Sequence, residues 1–244
     1  TMALKNLFGL MPGLYPARPR HYFHHIVRMP YMLADLGMII NPSLNVIDGL
    51  VSQAGREWGY TGKGDYPRIC NTLVAGDHVI ATDACGAYLM GHDPQSDWLT
   101  PPFHRDRNPL LAAAEGGFGT VDLNEIDFES EVQAPVGDFF AVLTDEPSTN
   151  ISWRRTTAEQ ALYYRDNRQS FYDKYANEYI LLQDGEVRWH DPQGTLRVSR
   201  RILSGDKPDQ ALWVKFVDPE DNEGEHFEVY EHALEQVSTL AQPA

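Results

Sequence analysis

The sequence predicts an α/β protein, a sheet with flanking helices, followed by a small α+β module. Three observations predict it. Short apolar runs end in turn formers, as at Leu44–Ile47 before Asp48-Gly49 and at Asn71–Ala75 before Gly76-Asp77. Helical apolar spacing alternates with them, as in Phe23, Ile26, Val27, Leu33 and Leu36. Beyond residue 150 the pattern becomes helix, hairpin, helix, strand.

Each element has a local reason. Two glycines and a proline within Leu4–Gly13 predict a loop. A helical stripe runs from His21 to Ile40, and Pro30 forces a kink or a new helix start. Leu44–Ile47 reads as a short buried strand delivering Asp48 into a turn, and Asn71–Ala75 as a second strand. A helix follows from about Val79 to Met90, with Asp77 at its start and Gly91 as its left-handed cap. Leu110–Glu115 is a further helix, Gly116–Gly119 a turn, and Phe139–Leu143 a last strand.

Turn formers in Asp145–Asn150 divide the chain into a domain of residues 1–150 and a module of residues 151–244. In the module, Thr156 or Thr157 caps a helix through about Tyr175. Asp184-Gly185 joins the strands Tyr179–Gln183 and Glu186–His190. Thr195–Leu203 reads as a short helix and Ala211–Val217 as a third strand, and the module is expected to fold on its own core.

Composition narrows the function classes. Lys and Arg total 20 against 35 Asp and Glu, a formal charge of −15. Such a surface repels phosphate backbones and anionic lipid, which argues against nucleic-acid partners. No apolar run approaches the roughly 20 residues that span a bilayer. The two cysteines, Cys70 and Cys85, are too few to hold an iron–sulfur cluster or a structural zinc, and read as buried thiols. The expectation is a cytoplasmic chain. Nucleophile elbow, dinucleotide fingerprint and Cys-x-x-Cys patterns are all missing from the sequence.

Ligands of open α/β sheets sit beyond the carboxyl ends of strands, where Asp48 and Asp77 are expected. Asp83, inside an apolar helix, needs a compensating partner. The trio Asp48, Asp77 and Asp83 is therefore the candidate site for a divalent cation, with helix capping and an Asx-turn as the plainer alternatives. Lys5 and Asn6, beside Gly9, read as an anion-binding loop or as an exposed Lys and a self-bonding Asn. His21, His24 and His25 form a cluster in which His21 and His25 would share a helix face. The glycine-rich stretch Gly55–Gly64, with Arg56 and Trp58 and followed by Asp65, reads as a lid or a plain loop. An N-terminal Thr1 raises the option of an N-terminal nucleophile.

The ordered motifs Leu4-Lys5-Asn6-Leu7-Phe8-Gly9, His21, Val46-Ile47-Asp48-Gly49, Val74-Ala75-Gly76-Asp77, Ala81-Thr82-Asp83-Ala84 and Leu89-Met90-Gly91-His92-Asp93-Pro94 resemble the iron–sulfur-associated domain of unknown function family numbered 362. The resemblance covers about residues 1–130, the C-terminal part of that domain, so its N-terminal half is not seen here. It implies an α/β domain of redox or metal chemistry, often beside cluster-bearing modules. Residues 157–217 resemble a second family of unknown function, numbered 5678. Together these readings make Asp48, Asp83, Lys5 and His21 the expected catalytic residues. Asn6, Gly9, Gly49 and Gly76 are the expected ligand-binding residues. The leading expectation is a small-molecule- or metal-dependent enzyme domain. The alternative is a non-catalytic subunit whose open sheet is covered by a partner chain or a second copy.

Overall fold

The computed structural model describes residues 2–12, 22–54, 66–139, 146–193, 200–220 and 225–240. The chain divides into two compact units: residues 1–11 with 29–147, and residues 12–28 with 148–244. The second unit thus takes in a stretch that a linear division at residue 150 leaves with the first.

The first unit opens with a five-residue helix, α1 (Ala3–Leu7), running into a 3-10 turn at Phe8–Leu10. These replace the expected loop, because buried Leu4 and Phe8 sit one turn apart and anchor it. Helix α2 (Arg28–Ile40) starts afresh rather than kinking: Pro30 occupies its first turn, where a missing N–H costs nothing. His24 and His25 precede it in non-helical backbone, and Val27 adopts φ 73°. His25, the residue expected to share a helix face with His21, is buried in this non-helical stretch, and His24 is exposed. His21 lies outside the described residues.

Strands β1 (Asn45–Ala54) and β2 (Tyr66–Gly76) are roughly twice the expected length and pair antiparallel. The register couples Val46 with Ala75, Asp48 with Leu73 and Val51 with Ile69 on one face. Ile47 with Val74 and Gly49 with Thr72 lie on the other. A shift between Gly49 and Val51 accompanies Asn71 at φ 48°, the signature of a bulge. Asp48 therefore sits in mid-strand and not at a strand end. Its side chain points to solvent, where an acid does not interrupt the ladder.

The inner face of this ribbon packs on helix α3 (Val79–Leu89). Gly86 lies at this contact, where an added Cβ would lie 2.4 Å from Met2 Cε and 3.2 Å from Ile47 Cδ1. Gly91 ends α3 as expected, at φ 87° with its N–H on Tyr88 O. The N-cap is His78, whose ring nitrogen accepts from Ile80 N, and not Asp77, which is exposed in the preceding bend. Helix α4 (Pro109–Glu115) begins at Asn108, and the glycines after it form a turn, with Gly117 and Gly119 at positive φ. Phe139 is buried but not in a strand; the rest of that expected strand lies outside the described residues.

The second unit contains helices α5 (Pro147–Asp166) and α6 (Arg168–Tyr175), breaking at Asn167. Pro147, Ser148 and Thr149 begin α5 rather than a linker, since the same residues favour turns and helix N-termini. Thr156 and Thr157 are buried inside it and cap nothing. Strands β3 (Tyr179–Gln183) and β4 (Glu186–Asp191) form the expected hairpin, with Asp184 at φ 54° and Gly185 at φ 75°, as a type I′ turn requires. After α7 (Arg200–Leu203), β5 (Trp213–Phe216) pairs antiparallel with β3, giving the order β4-β3-β5. Residues 195–199 of the expected helix lie outside the described residues. Helix α8 (Glu228–Leu240) was not expected; its buried Tyr230, Ala233 and Val237, spaced three and four apart, are the signal that could have found it.

Every residue of β3 is buried. Ile180 and Leu182 face a core with Ala158, Tyr164, Phe171, Trp213, Tyr230 and Ala233, and with Val27. Tyr179 and Leu181 face a second cluster with Tyr22, Leu212 and Val214. Residues 22–28 thus supply side chains to both faces of this sheet.

Candidate functional site

Asp83 explains itself once α1 is in place. It is wholly buried. Its Oδ2 accepts from Met2 N at 2.7 Å and Leu4 N at 3.2 Å, and its Oδ1 from Ala3 N at 2.7 Å. These are the donors that the start of a helix leaves unpartnered. Asp83 is a cap supplied across about 80 residues of sequence. Burial raises its pKa, and the three N–H groups act in the opposite direction by favouring the charged form.

Asp48 points the other way. It lies on the outer face of the ribbon, and its Oδ1 accepts from Leu50 N at 3.0 Å, an Asx-turn. Asp83 sits on the helix under the inner face. Asp77 follows β2, beyond Gly76, which pairs with Asn45; at strand rise that is about 13 Å along the ribbon from Asp48. The three aspartates do not meet. Among the described residues no group of three His, Cys, Asp or Glu side chains converges as a metal site.

Lys5 is half-buried on α1, and burial lowers its pKa; Asn6 beside it is exposed. Gly9 has open space where a side chain would stand. Gly49 and Gly76 are tight for local reasons. A Cβ would lie 2.8 Å from Thr72 O at Gly49 and 2.4 Å from Thr82 Oγ1 at Gly76. Both glycines admit a neighbouring part of the fold. Cys85 is buried, which raises its thiol pKa, and Cys70 is half-buried; both are free thiols. Thr1, the stretch 55–64 and Asp65 lie outside the described residues.

Two charged clusters escaped sequence reasoning. In the first unit Arg107 bonds Asp97 Oδ2 at 2.9 Å, both oxygens of Glu115 and Tyr31 Oη. Asp97 also takes Asn108 N, so the cluster ties the 94–108 loop to the start of α4. In the second unit Glu225 is the centre. It accepts from Arg28 Nη2 at 3.0 Å, Tyr22 Oη at 2.9 Å, Tyr230 Oη at 2.7 Å and Lys215 Nζ at 3.3 Å. Arg28 also donates to the carbonyls of Tyr22 and Val214 and lies 4.2 Å from the Tyr22 ring centroid. Burial alone would raise the Glu225 pKa; Arg28 and Lys215 overcome it and hold the carboxyl at about 2. These partners come from residues 22–28, β5 and α8, so no short motif announces them. The cluster anchors residues 22–28.

The feature left without a structural explanation is the outer face of the β1–β2 ribbon. Val46, Leu50, Val51, Ile69 and Leu73 are all exposed, Ile69 by 76% and Leu73 by 64%. Ala75, Asn71, Gln53 and Pro67 complete the face, and Asp48 is its one charged member. No helix among the described residues is long and apolar enough to cross a membrane.

No curated protein and no solved structure matches this chain. Residues 1–88, which span α1 to most of α3, match the family model described as Domain of unknown function (DUF362).

Proposed function

We propose that the first unit is an assembly module whose working surface is the outer face of the β1–β2 ribbon. One observation carries this reading. Five large apolar side chains stand together on a sheet face that the described residues leave uncovered. Scattered exposed leucines need no explanation, but a contiguous apolar patch does. The inner face of the same ribbon is covered in the ordinary way, by α3 and α1. A two-stranded ribbon is marginal by itself, so cover on its second face adds what the strands lack.

The enzyme reading rested on carboxylates converging at one rim, and they lie apart. Docking needs no convergence, only area and shape. The test is Ile69→Asp with Leu73→Asp, made on the exposed face where folding is not at stake. The unaltered chain associates, with itself or with an added apolar partner, and the variant does not. Circular dichroism must stay unchanged in the variant. Equal association by both proteins would end the proposal.

A further inference from the structure

We infer that the occupant of this face is a basic amphipathic helix of a partner polypeptide, not a second copy of the chain. The inference rests on the docking reading above and adds the partner's chemistry. It comes from the juxtaposition of Asp48 with Leu73, Leu50 and Val46 on one open face.

Size comes first. The five exposed apolar side chains offer on the order of 500 Å², near the top of what a monomer's largest patch exposes. The ribbon is ten residues long, about 33 Å at strand rise. A helix of about 20 residues has that length, and sheet faces are ordinarily covered by helices.

Charge then selects among occupants. Asp48 stands between Val46 and Leu50 and directly across from Leu73. Covering the face desolvates its carboxylate, which is costly unless a cation meets it. The Leu50 N–H occupies one lone pair of Oδ1, and a carboxylate has acceptor sites for more. A second copy would bring another Asp48 and a body of the same −15 charge to the same place. A lipid surface rich in anionic headgroups is opposed by the same charge. A helix with Lys or Arg among Leu residues satisfies the apolar area and the carboxylate together.

The probes are three synthetic helical peptides of about 18 residues. They share one leucine face and differ in polar residues: Lys/Arg, Gln, or Glu. The full chain is titrated by fluorescence anisotropy, and sedimentation reports its self-association. The Lys/Arg peptide is expected to bind best. Asp48→Asn should weaken that peptide roughly three- to tenfold and leave the Gln peptide unchanged. Leu73→Asp should weaken both by roughly tenfold or more. Equal binding of the Glu peptide, or an Asp48→Asn variant that binds the Lys/Arg peptide as before, overturns the inference and leaves docking itself standing. A dimer that dissociates with Leu73→Asp does the same. Indifference of every association to Leu73→Asp removes the docking reading as well.

Discussion

At the residue scale, two buried carboxylates do different work. Asp83 was legible as an anomaly, an acid inside an apolar helix, but not as a cap, because its partners lie in α1. Asp83→Ala leaves three N–H groups without their acceptor and should destabilise the protein by about 2–4 kcal/mol. Urea denaturation measures this, with and without Mn²⁺. A stability rise with Mn²⁺ in the unaltered chain alone would restore a ligand role. Glu225 gave no sequence signal at all. Its folded pKa, about 2, lies below the ordinary value of 4.5, so it contributes stability above about pH 4.5. That contribution, about 3 kcal/mol from the size of the shift, is lost as pH falls toward 2. Glu225→Gln should therefore cost most near pH 7, and the difference from the unaltered chain should shrink on acidification. A pH-independent difference in denaturation midpoint would refute this account.

At the element scale, local chemistry was read well where it is decided locally. Asp184-Gly185 demanded a hairpin, and Gly91 a helix stop, because both depend on φ at one or two residues. Gly185→Ala puts a Cβ at φ 75° and 3.0 Å from the Tyr163 ring. The expected cost is about 1–2 kcal/mol, read as a lower thermal midpoint with unchanged secondary structure. Strand length was not decided locally. The short apolar runs place the end of the first strand before Asp48 and the start of the second at Asn71, yet the ladder extends beyond both. An acid facing outward costs an antiparallel pair little, and a bulge absorbs Asn71. Helix α8 and the early start of α5 show the same limit, because turn-forming residues also begin helices.

At the scale of the whole molecule, chain order and compact unit part company. Residues 12–28 lie within the family-matched stretch but belong to the second unit, where Val27 and Arg28 are buried. A fragment of residues 151–244 therefore lacks Tyr22, Val27 and Arg28 and leaves Glu225 short of its guanidinium. It should fail to fold alone, with weak near-ultraviolet circular dichroism and no cooperative melt; removing one partner from a buried pair costs about 3–5 kcal/mol. A sharp, cooperative transition in that fragment would contradict the assignment of residues 22–28 to its core.

By itself the sequence determined the mixed helical and stranded class, the turns, the acidic character and the family likeness of the first 88 residues. These follow from φ preferences, local spacing and counted charge, which need no knowledge of distant neighbours. Only the tertiary structure decided that Asp83 faces α1 while Asp48 faces solvent, and that the described residues leave an apolar ribbon face open. Which face a strand residue occupies depends on register, and register is set by what packs against the sheet from elsewhere in the chain.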